Sequence, residues 1–252
     1  MIKILHKSEL SNLEVNPKGV WYALGYSDPV QARPAIQKFF NQAMEKGSSL
    51  LEPAACYDIF PIARVTPFAV EVKDGIVFES QDLAKRFQGA RELAAFIVTI
   101  GPRLEEEVKQ FFCSGNSGVG YILDTFGSVA VDVVAYKVRD VIQDYASSKG
   151  YQAMTYGSCI GKSCPAYTDC GGVMILWWSP GYGDFPTREQ KKLFILIDGS
   201  QIGVHLSESC MMTPRKSYAC LLPIGPQLEK SHGKCDEGQK EWIKLGSLKP
   251  MK

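Results

Sequence analysis

The sequence predicts one composite domain built from both strands and helices. Short apolar runs of strand character alternate with stretches of helical periodicity. No internal repeat and no clean linker divides the 252 residues, a length that one large domain accommodates. The composition, 45% hydrophobic and 22% charged, is that of an ordinary globular chain with a core to bury.

The elements follow in order. Residues 14–25 are turn-rich, with Trp21, Tyr22 and Leu24 as their apolar material. From Pro34 a helix is expected, because Ile36, Phe39, Phe40 and Ala43 share one face and Gly47 can stop it. Strands are expected near 56–62 and 68–72, and Asp74-Gly75 turns the second into Ile76-Val77-Phe78 as a hairpin. Ser80 can cap a short helix over 81–87. LAAFIVTI at 93–100 lacks strict alternation, which suits a strand covered on both faces. Gly101-Pro102 opens a helix whose Leu104, Val108, Phe111 and Phe112 point inward. Its acids Glu105, Glu106 and Glu107 sit near the positive end of the helix dipole.

A long helix is expected over 119–146, with a broad apolar stripe from Ile122 to Ile142. Gly127, Ser128 and Ala130 allow close approach of another element. Asp124 and Asp132 on this helix read as surface residues at its edges, the usual place for acids. VMILWW at 173–178 reads as a strand, and Thr187 with Gln190 as a capping box on the next helix. Strands at 202–206 and 217–222 flank MMTPRK. From Gly225 the chain turns polar, so the domain is expected over 1–224, with a tail over 225–252.

A formal charge of +1, with no basic patch interleaved with aromatics, argues against nucleic acid or an anionic membrane as partner. The start turns polar after five residues and no run of eighteen apolar residues occurs. No signal peptide, no transmembrane helix and a cytoplasmic location are therefore expected.

Familiar catalytic motifs are absent: no HExxH, no Walker loop, no GxSxG elbow and no Rossmann fingerprint. The glycines at 115–120 can cradle an anion or simply start a helix. Of three histidines only His205 lies in a structured stretch, and it reads as a solvent-facing strand position. Eight cysteines read mostly as free buried thiols. Cys159, Cys164 and Cys170, with Cys235 as a fourth, offer thiolates for zinc or an iron–sulfur cluster, but without a C-x-x-C pair.

Two dense stretches remain. SPGYGDFP at 179–186 packs two glycines, two prolines and an aspartate into eight residues, around one aromatic, Tyr182. Such a loop is shaped, and its glycines let a ligand approach the backbone. A tyrosine face attracts a cation such as a sulfonium. IGVHLSESCMMTPRKS at 202–217 adds Glu208, which can accept hydrogen bonds, and Arg215 and Lys216, which can meet a carboxylate or a partner's surface.

Together, SPGYGDFP with Gln190 and IGVHLSESCMMTPRKSYA at 202–219 resemble the activation domain of cobalamin-dependent methionine synthase, in the form of its stand-alone relatives. TIGPRLEE at 99–106 and GYILDTFGSVAVD at 120–132 extend the likeness, which covers about residues 15–224. The resemblance implies a single C-shaped α+β domain with a curved, mainly antiparallel sheet flanked by helices. It implies S-adenosylmethionine in a shallow groove, and docking on a cobalamin-bearing protein whose cobalt has been oxidised to cob(II)alamin. Reductive methylation, with flavodoxin or ferredoxin as electron donor, then restores the partner. The family's Pro-Gly-Tyr element maps to Pro180, Gly181 and Tyr182, its Thr-Glu-Ser to Ser207, Glu208 and Ser209, and an acidic contact from the long helix to Asp132.

Trp177 and Trp178 stand where the fused enzyme has an arginine that helps hold the cofactor's carboxylate. Arg215 or Lys216 is available to compensate. The fused enzyme also lacks a counterpart of the cysteine-rich insert over 159–170. Two other readings therefore stand beside an S-adenosylmethionine-dependent reactivator: a noncatalytic adaptor that docks a corrinoid protein, and a cysteine-ligated metal or redox protein. With no room in 252 residues for homocysteine, folate and cobalamin modules, a complete methionine synthase is not expected.

Overall fold

The computed structural model describes residues 2–6, 8–10, 13–26, 28–73, 75–153, 178–226 and 228. Strand β1 (Lys3–Leu5) leads to helices α1 (Pro17–Ala23) and α2 (Pro34–Gly47). Next come β2 (Ala54–Val65), β3 (Ala69–Val72), β4 (Val77–Glu79), α3 (Gln81–Arg86) and β5 (Glu92–Thr99). Helices α4 (Arg103–Cys113) and α5 (Ser117–Ser148) precede β6 (Gln152–Ala153). Then come α6 (Gln190–Leu196), β7 (His205–Leu206), β8 (Met212–Thr213) and β9 (Ser217–Gly225).

The main sheet runs β4-β3-β2-β5-β9-β6, with β1 also on β2, and every pairing is antiparallel. It curls into a half-barrel. At its centre β5 pairs with β2 along one edge and β9 along the other, each over eight residues. This explains the continuous apolar run LAAFIVTI. Successive side chains leave a strand on opposite faces, and both faces are covered. Ala94, Phe96 and Val98 pack towards α1, α2, α4 and α5. Leu93, Ala95 and Ile97 pack towards α3, α6 and Phe185.

Helix α5 is the chief element of the first face. It is long and apolar enough to cross a membrane by length and composition, yet its buried stripe packs inside the domain. At Gly127 a Cβ would lie 2.7 Å from Leu104 Cδ2, so the glycine is what lets α4 approach α5. Gly118 serves α2 in the same way, its absent Cβ being replaced by the ring of Phe39. Gly118 and Gly120 thus have a packing role at a helix start, while Gly115 turns the chain at φ +79°.

The hairpin of β3 and β4 and the Ser80 cap on α3 form as the sequence predicts. Three local expectations are corrected. Thr187 makes no capping box: Thr187–Glu189 is a 3-10 turn after Pro186, and α6 starts at Gln190 without a side-chain cap. The strand expected at 202–206 shrinks to β7, because Gly199–Ile202 is a second 3-10 turn, capped by Asp198 and closed by Gly203 at φ +74°. Asp132 is no plain surface residue, as its surroundings below show. Of the expected 173–178 strand only Trp178 lies within the described residues.

Candidate functional site

The loop over 179–186 is held at both ends. Trp178 bridges Leu221 of β9 through two backbone bonds, of 3.1 and 2.8 Å. Inside the loop, Gly181 N–H donates to Phe185 O at 2.6 Å and Phe185 N–H to Tyr182 O at 2.9 Å. Phe185 is fully buried and meets Phe78 edge to face, 6.1 Å between centroids. At Gly183 the backbone has φ +54°, and a Cβ would fall 2.6 Å from Asp82 Oδ2.

Asp184 does the remaining holding. Its carboxylate accepts from the Ser80 hydroxyl, from Gln81 N–H at 2.7 Å and from Asp82 N–H at 3.2 Å. These are donors that the first turn of a helix leaves unsatisfied. The Ser80 hydroxyl above all, then the backbone donors, hold the acid below the usual carboxylate range. The loop aspartate therefore caps α3 across the chain, and Ser80 caps it from within, accepting from Leu83 N–H at 2.9 Å.

With the loop fixed, Tyr182 is presented half-buried at the edge of β9. Its ring lies 5.8 Å from that of Trp178, and the Arg86 guanidinium stacks 3.9 Å from the Trp178 ring centroid. Among the described residues Trp178 Nε1 is buried without a hydrogen-bond partner.

Tyr182 belongs to a small polar group of four neighbours. Asp132 comes from α5, Tyr218 and Cys220 from β9, and Ser179 from the loop base. The Tyr218 hydroxyl hydrogen-bonds the Asp132 carboxylate. Ser179 Oγ and Cys220 Sγ lie 3.2 Å apart. Burial pushes Asp132 up to about 6, against the opposing pull of the Tyr218 bond. Burial first, then the Asp132 charge, raises the Tyr218 phenol. Tyr182 is raised by burial, then by Cys220 and Asp132. Cys220, fully buried, is raised chiefly by desolvation. At neutral pH the group is one carboxylate among protonated phenols and a thiol.

The second dense stretch folds into β7 and β8, joined by a tight turn. Met211 N–H donates to Ser207 Oγ at 3.0 Å, and Ser207 Oγ lies 2.9 Å from Ser209 Oγ. Cys210 is buried with φ +63°. Glu208 is exposed, as are His205 and Met211. Past the cis Thr213-Pro214 bond, Arg215 is exposed. Lys216 is engaged inward: its N–H donates to Glu105 Oε1 at 2.6 Å, and its ammonium meets Ser128 Oγ at 2.8 Å and Asp124 Oδ1 at 3.0 Å.

Of the expected site residues, the structure brings Pro180, Gly181 and Tyr182 together with Asp132. It puts Glu208 and Arg215 on the hairpin and its exit, without a hydrogen bond or ion pair to that group among the described residues. Cys159, Cys164, Cys170, Cys235 and Trp177 lie outside the described residues. Among the described ones no cluster of three metal-ligating side chains occurs. Sequence reasoning missed Tyr218, although its place two residues before Cys220 sets both on the α5-facing side of one strand.

The geometry suits a ligand that carries positive charge beside an aromatic-sized body. It offers a carboxylate in a desolvated setting, a tyrosine face and exposed glycine backbone. No protein-family model matches the chain, and no curated protein matches it. Among solved structures it is similar to the MetH reactivation domain bound to AdoHcy, with TM-score 0.62 and 15% identity over 90% of this chain and 79% of that one. The fold is that of the MetH reactivation domain. The curled antiparallel sheet with helices, expected from the late motifs, is thereby shown.

Proposed function

We propose that this chain binds S-adenosylmethionine at the Tyr182 loop and supports reductive methylation of cob(II)alamin held by a separate corrinoid protein or truncated methionine synthase. One observation carries the reading. Tyr182 stands on a held loop within electrostatic influence of the Asp132 carboxylate, on a fold shared with a reactivation domain that binds AdoHcy. Pro180 and Gly181 set the loop backbone beside the ligand, while Glu208 and Arg215 stand on the neighbouring hairpin to meet it or the partner. Lys216 holds the hairpin exit to α4 and α5.

The ligand supplies a methyl group on a sulfonium sulfur. The chain's own residues bind and orient it, and alignment with local electrostatics is what a protein adds to such chemistry. A poor histidine supply is then no handicap. Flavodoxin or ferredoxin serves as electron donor, the location is cytoplasmic, and the working unit spans 1–224.

The test is the visible spectrum of a purified cob(II)alamin protein under a reducing system, with this chain and S-adenosylmethionine present or omitted. Methylcobalamin formed only when both are present supports the reading, and no dependence on this chain overturns it. Trp178, standing where the fused enzyme has its arginine region and stacked under Arg86, favours a second reading, an adaptor that docks the corrinoid protein without the ligand. Partner binding unchanged by S-adenosylmethionine, in a chain that binds none of it, selects that reading.

A further inference from the structure

Strand β4 ends the main sheet: β3 pairs with one of its margins, and among the described residues no strand covers the other. Val72 N–H donates to Ile76 O and Ser80 N–H to Phe68 O, so Ile76 and Ser80 bond towards β3. By the alternation of an antiparallel ladder, Val77 and Glu79 direct their backbone N–H and C=O groups the other way. Groups of this kind need partners wherever they are taken out of water.

The chain that runs from the Tyr182 loop into α6 supplies them from its side chains. Glu189 Oε2 accepts from Glu79 N–H at 3.3 Å, and Lys192 Nζ donates to Val77 O at 2.7 Å. Lys192 and Glu189 also pair with each other at 2.9 Å. Glu189 is only 1% exposed, a rare place for an acid without such partners. The Phe185 ring meets Phe78 of the same strand, and Asp184 takes the Ser80 hydroxyl and the N–H groups of Gln81 and Asp82. The order is antiparallel: Lys192, Glu189 and Asp184 meet Val77, Glu79 and residues 80–82 in turn. A purely apolar face laid on this margin could neither accept the N–H nor donate to the carbonyl.

We propose that residues 184–192 are a side-chain strap: they stand in for the neighbour strand that β4 lacks, so that the Tyr182 loop and the junction of β4 with α3 open and close as one cooperative unit. The presentation of Tyr182 is thereby coupled to the free margin of the sheet, whatever ligand the loop binds. The physical ground is the way the loop is held. Gly181 N–H on Phe185 O and Phe185 N–H on Tyr182 O close it internally. Its C-terminal half is then fastened to β4 and α3 by Phe185, Asp184 and Glu189. Freeing one end of such a strap loosens the next contact along it. Segments that open together exchange their amide hydrogens with a common opening free energy.

Amide hydrogen exchange of the full chain, read by NMR, tests this in the wild type, Glu189→Ala and Asp184→Ala. In the wild type the amides of Glu79, Gln81, Asp82, Gly181 and Phe185 are expected to share one protection factor within about threefold. Glu189→Ala, which removes the bonds to Glu79 and Lys192, should speed all five by a common factor of about tenfold. That factor should exceed any change at Ile97 and Val98 in β5, which report the whole domain. Asp184→Ala, at the other end, should speed Glu79 as well. Acceleration confined to Glu79 in Glu189→Ala overturns the strap. So does a Glu79 amide that keeps its wild-type rate in Asp184→Ala. Should Glu189→Ala not fold, Lys192→Met, at a side chain 34% exposed, is read at the same amides. Faster exchange at Gly181 and Phe185 then supports the strap, and unmoved rates there overturn it.

Discussion

Asp184 and Asp132 serve opposite faces of one sheet, on either side of Tyr182, and their surroundings drive them in opposite directions. Asp184 lies exposed at the start of α3 and collects a hydroxyl and two backbone N–H donors. Asp132 lies on the α5 side, half-buried, with one phenol. The first is held below the usual carboxylate range and the second is raised to about 6. The difference is physical: one acid is satisfied by three donors and fastens the loop, the other is partly desolvated with one phenolic donor.

Four substitutions test that contrast. Phe185→Ala removes the loop's buried anchor and is expected to cost about 3–5 kcal/mol in urea unfolding. A loss under about 1 kcal/mol would mean that the loop is not moored through the core. Asp184→Ala leaves the N-terminus of α3 without its cross-chain cap, at about 1–2 kcal/mol, and should also weaken AdoHcy binding by displacing Tyr182. Unchanged binding together with lost stability would separate the loop from the site.

Asp132→Asn should act with the opposite sign, raising stability at pH 7 by up to about 1 kcal/mol, because a half-buried, partly desolvated charge is removed. Glu208→Ala, at an exposed turn position, is expected to stay within about 0.5 kcal/mol, so any loss of ligand or partner binding there reports contact alone.

The pH dependence sharpens the same contrast. Asp184, with a lowered native value, gives stability that is complete above the ordinary carboxylate range and fades as pH falls through and below it. Asp132, with a raised value, costs stability that appears as pH rises from about 4, the unfolded value, and is complete above about 6. Asp184→Ala should therefore flatten the acid limb of a stability–pH curve. Asp132→Asn should flatten its fall between about 4 and 6. Thermal unfolding from pH 3 to 8 separates the two.

The central strand was legible because LAAFIVTI is a short, nearly continuous apolar run closed by Gly101-Pro102, as a strand covered on both faces requires. The Ser80 cap and the β3–β4 turn were legible because their signals are local. The capping box on Thr187 failed because Pro186 starts a 3-10 turn that local pattern does not distinguish from a helix start. The shaped loop over 179–186 could be read directly from its glycines and prolines. Asp132 could be placed only through resemblance, since its apolar helix neighbours say nothing of what faces it. Tyr218 was hidden because its meaning depends on a partner 86 residues away on α5, and strand alternation gives a side chain's face but not its neighbour. Asp184 was expected merely to shape a turn, because the helix it caps begins about a hundred residues earlier.

The bridge between Trp178 and Leu221 has a further consequence. It falls on the same margin of β9 that β6 occupies at Ala153 and Ile224. A bare strand margin of this kind invites a second chain to add to the sheet. By occupying the middle of β9, the base of the Tyr182 loop guards the protein against edge-to-edge aggregation.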